Sequence, residues 1–304
     1  MMTTTNQNVI DPVPVELLEM ELTPDRLLRD TNKGGNKIYI IDAFSAPNVM
    51  REVGRLREIA FRAAGGGTGK DCDIDEFDTM EPPCRQLVVW DPEAREIIGG
   101  YRFIPGNEIK MRSDGMPRIA TSHMFSFSER FLKDYLPHTI ELGRSFVRLE
   151  YQTTRVGVKA LYALDNLWDG LGALTVIYPD MRYLFGKVTM YPSYNADCRN
   201  MILYFLTKHF PDPDRLVWPM TPLTTHMDNE AMRKLFIHDT FKDDYKILNK
   251  AIRDHGYNIP PLVNAYMSLS PSMRMFGTAI NDEFGNVEES GIFLSLIHIS
   301  EPTR

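Results

Sequence analysis

Two β-rich runs separated by only four residues constrain this chain more than any other feature. Gln86–Asp91 (QLVVWD) and Glu96–Ile104 (EIIGGYRFI) flank Pro92-Glu93-Ala94-Arg95, a spacing that predicts a hairpin. Upstream, Lys37–Asp42 (KIYIID) is β-branched and aromatic, bounded by Gly34-Gly35 and by Ser45-Ala46-Pro47, and reads as a strand followed by a helix start. Asn48–Arg62 then places Val49, Val53, Leu56, Ala60 and Phe61 near i, i+4, i+7 spacing and ends at Gly65-Gly66-Gly67, the pattern of an amphipathic helix with a glycine stop. Thr139–Val147 is a further strand candidate. It leads into a helical stripe of Leu161, Leu164, Leu167, Trp168 and Leu171, then a strand at Tyr183–Met190 and a helix at Ala196–His209. The order β-α-β-β-β-α-β-α predicts an α/β fold, a mixed sheet with helices on both sides.

From Pro211 onward the signals change to short helices near Asp228–Phe236, Lys242–His255 and Leu262–Leu269, with weak strands at 274–281 and 287–293. The chain therefore divides into a polar lead-in (1–36), a core (37–210) and a helical C-terminal extension that caps the sheet (211–293). Leu294–Arg304 (LSLIHISEPTR) looks like translated sequencing-library adapter and is set apart, with the native chain expected to continue past Phe293.

Composition narrows the function classes. A formal charge of −7 argues against general nucleic-acid binding and broad attachment to anionic lipid. No apolar run approaches the ~18 residues of a membrane helix, and the N-terminus lacks the basic and apolar regions of a signal peptide, so a cytoplasmic protein is expected. At most, the apolar segment Leu262–Met275 offers loose peripheral contact with a membrane. Cys72, Cys84 and Cys198 are scattered and without metal-ligand spacing, so reduced thiols and no metal site are expected.

Three patterns place charge inside apolar runs. Leu56-Arg57-x-x-x-Phe61 puts Arg57 and Phe61 one helical turn apart on one face. Asp75-Glu76-Phe77-Asp78 is an acidic cluster past the glycine loop, and Glu141-Leu142-Gly143-Arg144 sets a carboxylate and a guanidinium three apart in a strand. That spacing puts them on opposite faces unless a bulge intervenes, and Gly143 is suited to one. Each pattern alone also reads as something ordinary: a solvated arginine, a pair of turn formers, a structural ion pair.

Their order along the chain, with Gly99-Gly100-Tyr101-Arg102 between the second and third, resembles the acyl-carrier-protein-dependent branch of the GNAT fold. This branch includes acyl-homoserine lactone synthases and the N-acyltransferases that begin ornithine lipid and glycine lipid synthesis. Segments such as REVGRLREIAFRAAGGGTGKD, ELGRSFV, LDNLWDGLGAL and IPPLVNAYMSLSPSMRMFGTAINDEFG are similar to the glycine lipid N-acyltransferases of Bacteroidetes, often labelled hemolysin-like, over residues 10–293. The resemblance implies a GNAT-like sheet and transfer of a long-chain, or 3-hydroxy, acyl group to the α-amine of an amino acid, with glycine ahead of ornithine.

It further implies that Arg57, Phe61, Asp75, Asp78, Arg102, Glu141 and Arg144 shape the active site. An α-amine must lose a proton before attacking a thioester, so Glu141 is the candidate base, with Arg144 holding it or gripping an acceptor carboxylate; Arg57 and Arg102 are alternative anchors. In this fold backbone N–H groups where two central strands splay meet the thioester oxyanion, placed here near Ser145, Val147 and Arg148. Tyr194 and Tyr204 are candidate donors to the leaving thiolate. The usual pyrophosphate loop has the wrong spacing at Thr153–Ala160, which favours a carrier-protein phosphopantetheine thioester over coenzyme A as donor, with no permanently bound cofactor. Arg148, Arg155, Gly157 and Lys159 are the candidate carrier-binding residues, joined in a docking patch for an acidic acyl carrier protein by Arg51, Arg55, Arg62 and Lys70. The rival enzyme is a lipid O-acyltransferase with a His-x4-Asp pair, matched in spacing by His209/Asp214 and His238/Asp243. An acyl-homoserine lactone synthase and a non-enzymatic lipid-binding protein are weaker alternatives.

Overall fold

A computed structural model describes residues 7–152 and 158–296, with side chains omitted at 158–161. In chain order it begins with α1 (Val15–Glu21), β1 (Leu27–Asp30), β2 (Lys37–Ile41), α2 (Pro47–Ala64), α3 (Glu76–Thr79), β3 (Arg85–Asp91) and β4 (Glu96–Pro105). The middle comprises β5 (Phe125–Phe127), β6 (Thr139–Val147), α4 (Val158–Ile177), β7 (Tyr183–Met190), α5 (Ala196–His209) and β8 (Val217–Pro219). Last come α6 (Asn229–Leu235), α7 (Phe241–Asp254), α8 (Pro261–Leu269), β9 (Arg274–Asn281) and β10 (Val287–Ser295). The chain forms two compact units. One contains the described residues within Met1–Ala120, Leu136–Arg182 and Glu283–Gly285, and the other those within Thr121–Tyr135, Tyr183–Asp282 and Asn286–Arg304.

The first unit is an antiparallel sheet in the order β1-β2-β3-β4-β6. The expected hairpin is β3–β4. Its turn closes because the Asp91 carboxylate accepts hydrogen bonds from the Glu93 and Ala94 amides at 2.9 and 3.0 Å, while Arg95 takes φ +55°. β1 and α1 arise within the stretch read as a lead-in. β1 pairs with β2, and α1 buries Leu18 and presents Glu21 to the start of α2, where it accepts from the Asn48 and Val49 amides.

Helix α2 starts with Pro47 in its first turn and stops at Gly65, whose φ of +95° suits only glycine without strain. Val49, Val53, Leu56 and Ala60 form one buried stripe, and Met50, Gly54, Arg57 and Phe61 the next. On β6 the pairing runs Arg102 with Gly143 and Gly100 with Phe146, so Arg144 and Ser145 together oppose Tyr101. This is the expected bulge, but the residue in the left-handed region is Arg144 (φ +51°), not Gly143.

In the second unit β7, β10 and β9 pair antiparallel in that order. The weak strand signals near 274–281 and 287–293 are thus β9 and β10, and Leu294 and Ser295 extend β10 opposite Leu184 and Tyr183. Gly291 on β10 sits close under the ring of Phe125, which a Cβ there would meet at 3.1 Å. Phe127, Phe131, Phe185, Phe276 and Phe293 pack as an aromatic core. α5 is fastened to α7 through the buried Asp244, which takes Lys208 Nζ at 2.7 Å and His209 Nε2 at 2.9 Å. Among the described residues no helix is long and apolar enough to cross a membrane.

Candidate active site

The site is assembled around Asp78. Both Asp78 and Arg57 are fully buried, and a buried charge is tolerable only when paired and hydrogen-bonded. Asp78 meets that requirement four times. Its Oδ2 lies 3.4 Å from Arg57 Nη1 and accepts from the Asp75 amide at 3.1 Å; its Oδ1 accepts from Gln86 Nε2 at 2.8 Å and lies 3.4 Å from Arg102 Nη1. Arg57 Nη2 donates to Gln86 Oε1, which ties helix α2 to strand β3. The Asp75 and Asp78 side chains also form a reciprocal capping box that starts α3, so the acidic cluster is at once a turn former and part of the charge network.

Arg102 projects from β4 into the same cluster, donating to Asp75 Oδ1 at 2.6 Å and lying over the Phe77 ring at 5.4 Å. Burial opposes its charge, yet Asp78 and Asp75 outweigh that cost and hold its pKa above the usual value. Asp75 shows the converse. Burial would raise its pKa, but Arg102, Arg144 and Arg57 hold the carboxyl well below the ordinary range.

Arg144, on the β6 bulge, closes the network. Its Nε lies 3.0 Å from Asp73 Oδ2 and its Nη2 3.5 Å from Asp75 Oδ2, while its guanidinium stacks at 4.3 Å on the ring of Phe284. Asp73 is fully buried, and burial raises its pKa despite Arg144. The structure therefore unites Arg57, Asp75, Asp78, Arg102 and Arg144, with Phe61 joined edge-on to Phe284 at 5.1 Å.

Glu141 is buried on β6 opposite Ile104, two residues before Gly143, which faces Arg102. The Cys84 thiol feels both Arg102 and Glu141, and burial pushes its pKa up. Ser145 is exposed and Val147 half-buried.

A GNAT acetyltransferase domain family matches residues 56–161, the stretch that carries every one of these residues except Phe284. A glycine N(alpha)-acyltransferase of Bacteroides thetaiotaomicron is 65% identical over 298 residues, 98% of this chain and 88% of that protein. A second, from Phocaeicola vulgatus, is 62% identical over 98% of this chain and 91% of that protein. The chain belongs to the glycine N(alpha)-acyltransferase family.

As a member of this family the chain is an N-acyltransferase, and its acceptor class is the amino acids. Among solved structures, the AHL synthase LasI gives a TM-score of 0.39 at 11% identity over 90% of this chain and all of that one, a likeness too weak to argue from.

Sequence reasoning missed Asp73, Gln86, Phe77 and Phe284. An Asp-x-Asp spacing was visible at Asp73 and Asp75, whereas nothing local marks Gln86 or Phe284. Of the proposed carrier residues, Arg148 alone has a described side chain. Arg148 pairs with Glu96 at 2.6 Å and Glu150 at 3.0 Å; Arg155, Gly157 and the side chain of Lys159 lie outside those described. In the docking patch, Arg55 is bound to Glu52, and Arg62 to Glu58 and the Lys70 carbonyl. The first His-x4-Asp pair does not form, since His209 bonds Asp244 while Asp214 bonds Arg274 and Arg130; in the second, Asp243 accepts from Thr240 and Lys246. Tyr194 donates to the Asn258 carbonyl and Tyr204 stacks on Phe236, both in the second unit.

Proposed function

We propose that the chain transfers a long-chain fatty acyl group, with or without a 3-hydroxyl, from the thioester of an acyl carrier protein to the α-amine of glycine. The names of the two relatives support the acceptor. The observation that carries the site is the unequal exposure of its three guanidiniums: side chains are 0% exposed at Arg57, 3% at Arg102 and 15% at Arg144. Arg57 and Arg102 hold the carboxylates in place, and Arg144 is the cation a substrate carboxylate can reach. Gripping that carboxylate fixes the amine beside β6.

The protonated amine then gives a proton to Glu141, directly or through one water. Its nitrogen attacks the thioester carbonyl carbon, the C–N bond forms as the C–S bond breaks, and the departing thiolate takes up the second proton that this nitrogen sheds in becoming an amide, while Glu141 returns the first to solvent. Oxyanion stabilisation is assigned to the β6 backbone at Ser145–Val147. A bulge leaves one residue out of the ladder with β4, and a donor of this kind is worth about 3 kcal/mol in acyl transfer. The donor's phosphopantetheine and carrier are assigned to Arg148, Arg155, Gly157 and Lys159. A cytoplasmic enzyme in at most peripheral contact with the membrane fits the same reading.

The test is purified protein given acyl carrier protein or coenzyme A thioesters with glycine, serine or ornithine, products being identified by mass spectrometry. N-acylglycine from the carrier thioester is expected. Faster turnover with coenzyme A overturns the donor, N-acylornithine in place of N-acylglycine overturns the acceptor, and no product from any pair overturns the reading.

A further inference from the structure

Phe284 is separated from Arg144 by 140 residues of chain, and β9 and β10 on either side of it belong to the other unit. It nonetheless packs within the first unit, 4% exposed, with the Arg144 guanidinium 4.3 Å above its ring. The ring has a second, aromatic neighbour. Phe61 of α2 meets it edge-on at 5.1 Å and 68°. The next residue, Gly285 (φ +81°), seats against the glycine loop that ends α2, where a Cβ would lie 3.0 Å from Gly66 Cα.

Arg144 needs such a support. A non-glycine residue in the left-handed region is strained, and that strain persists only where surrounding contacts over-determine it. Asp73 and Asp75 approach Nε and Nη2. A third carboxylate would fix the plane of the group but would also add negative charge where the acceptor carboxylate must approach and occupy further N–H donors. An aromatic face fixes the plane and does neither.

We propose that Phe284 is a positioning residue: its ring sets the plane of the Arg144 guanidinium so that Nη1 meets the carboxylate of the acceptor amino acid. This rests on the role given to Arg144 above. The test is steady-state kinetics on the full chain with F284L, which keeps an apolar packing volume, and F284Y, which keeps the ring. F284L is expected to lower kcat/KM for the acceptor about tenfold through a raised KM, consistent with losing a desolvated cation–π contact. The acyl-donor KM should stay within about twofold of wild type, and F284Y should recover most of the loss.

Introducing F284L into an R144Q background should then change little, because the residue through which it acts is gone. Equal losses from F284L with and without Arg144, or an unchanged acceptor KM in F284L, overturn the proposal. If R144Q alone keeps wild-type kinetics, it is the assignment of Arg144 that fails, a separate result. Should F284L not fold, the wild-type protein still answers by NMR. A nuclear Overhauser contact between the Phe284 ring protons and the Arg144 Hδ protons, the latter identified by their loss in R144Q, is expected; its absence overturns the stacking.

Discussion

Arg57 Nη1 stands 3.4 Å from Asp78 Oδ2, and neither side chain touches solvent. Removing Arg57 strips one of the two guanidiniums from a fully buried carboxylate, leaving Asp78 with Arg102 alone as its cation, and takes a donor from Gln86. Arg57→Met is therefore expected to cost about 3–5 kcal/mol in urea-induced unfolding. The loss from Arg57→Met combined with Asp78→Leu should be smaller than the sum of the two single losses, because each single change breaks the same buried ion pair. If the double variant is the worse by the sum of the two single losses, the pair is not coupled as described.

Acid stability follows from Asp75. Burial opposes ionisation there, and three guanidiniums more than reverse it, so the folded pKa lies below the unfolded value of about 3.9. A depressed carboxylate contributes stability that is present above about pH 4 and lost as pH falls through the folded pKa. Asp75→Asn removes this contribution, so the gap in unfolding free energy between wild type and variant should narrow below pH 4. A constant gap from pH 6 to pH 2.5 would count against the network. Asp73 has the opposite sign: burial raises its pKa, so its contribution is present below about pH 4 and lost as pH rises.

Glu141→Gln keeps the shape of the side chain and removes its ability to accept a proton. General-base catalysis contributes about 10²–10⁴-fold, so kcat should fall by that order while the unfolding midpoint moves little. The acid limb of the pH–rate profile should also disappear. A folded variant with wild-type kcat would show that the proton leaves by another route.

How much of this was legible depended on distance along the chain. Arg57 and Glu141 stand out as charges inside apolar runs, Arg102 only through the order of motifs in the family resemblance, and the hairpin turn is written locally in Pro92–Arg95. The bulge was expected from Gly143, yet the left-handed residue is Arg144, held there by Asp73, Asp75 and Phe284. Tertiary contacts overrode local backbone preference. Phe284 could not be found because nothing in DEFG distinguishes a ring under an arginine from a turn residue. β1 was missed because Leu27–Asp30 lacks alternation, its inner pair being half-buried and its outer pair exposed at the edge beside β2.

Gly54 tests how tightly α2 positions the acids. By helix propensity alone, Gly54→Ala inside α2 should gain about 1 kcal/mol. The site forbids it. A Cβ there would lie 2.6 Å from Cys72 Sγ, 2.9 Å from Ile74 Cγ1 and 3.2 Å from the Asp73 carbonyl, whose own amide donates to the Gly54 carbonyl at 3.1 Å. The segment Cys72–Ile74 must move away from the helix, carrying Asp73 from its place beside Arg144. Gly54→Ala should thus destabilise the protein by about 1–3 kcal/mol, as overpacking does, and reduce turnover as well. Adding Cys72→Ala removes the sulfur but not the backbone carbonyl or Ile74, so stability should recover in part while activity stays low. Full recovery of both would place the obstruction at the thiol alone and leave Asp73 without a part in holding Arg144.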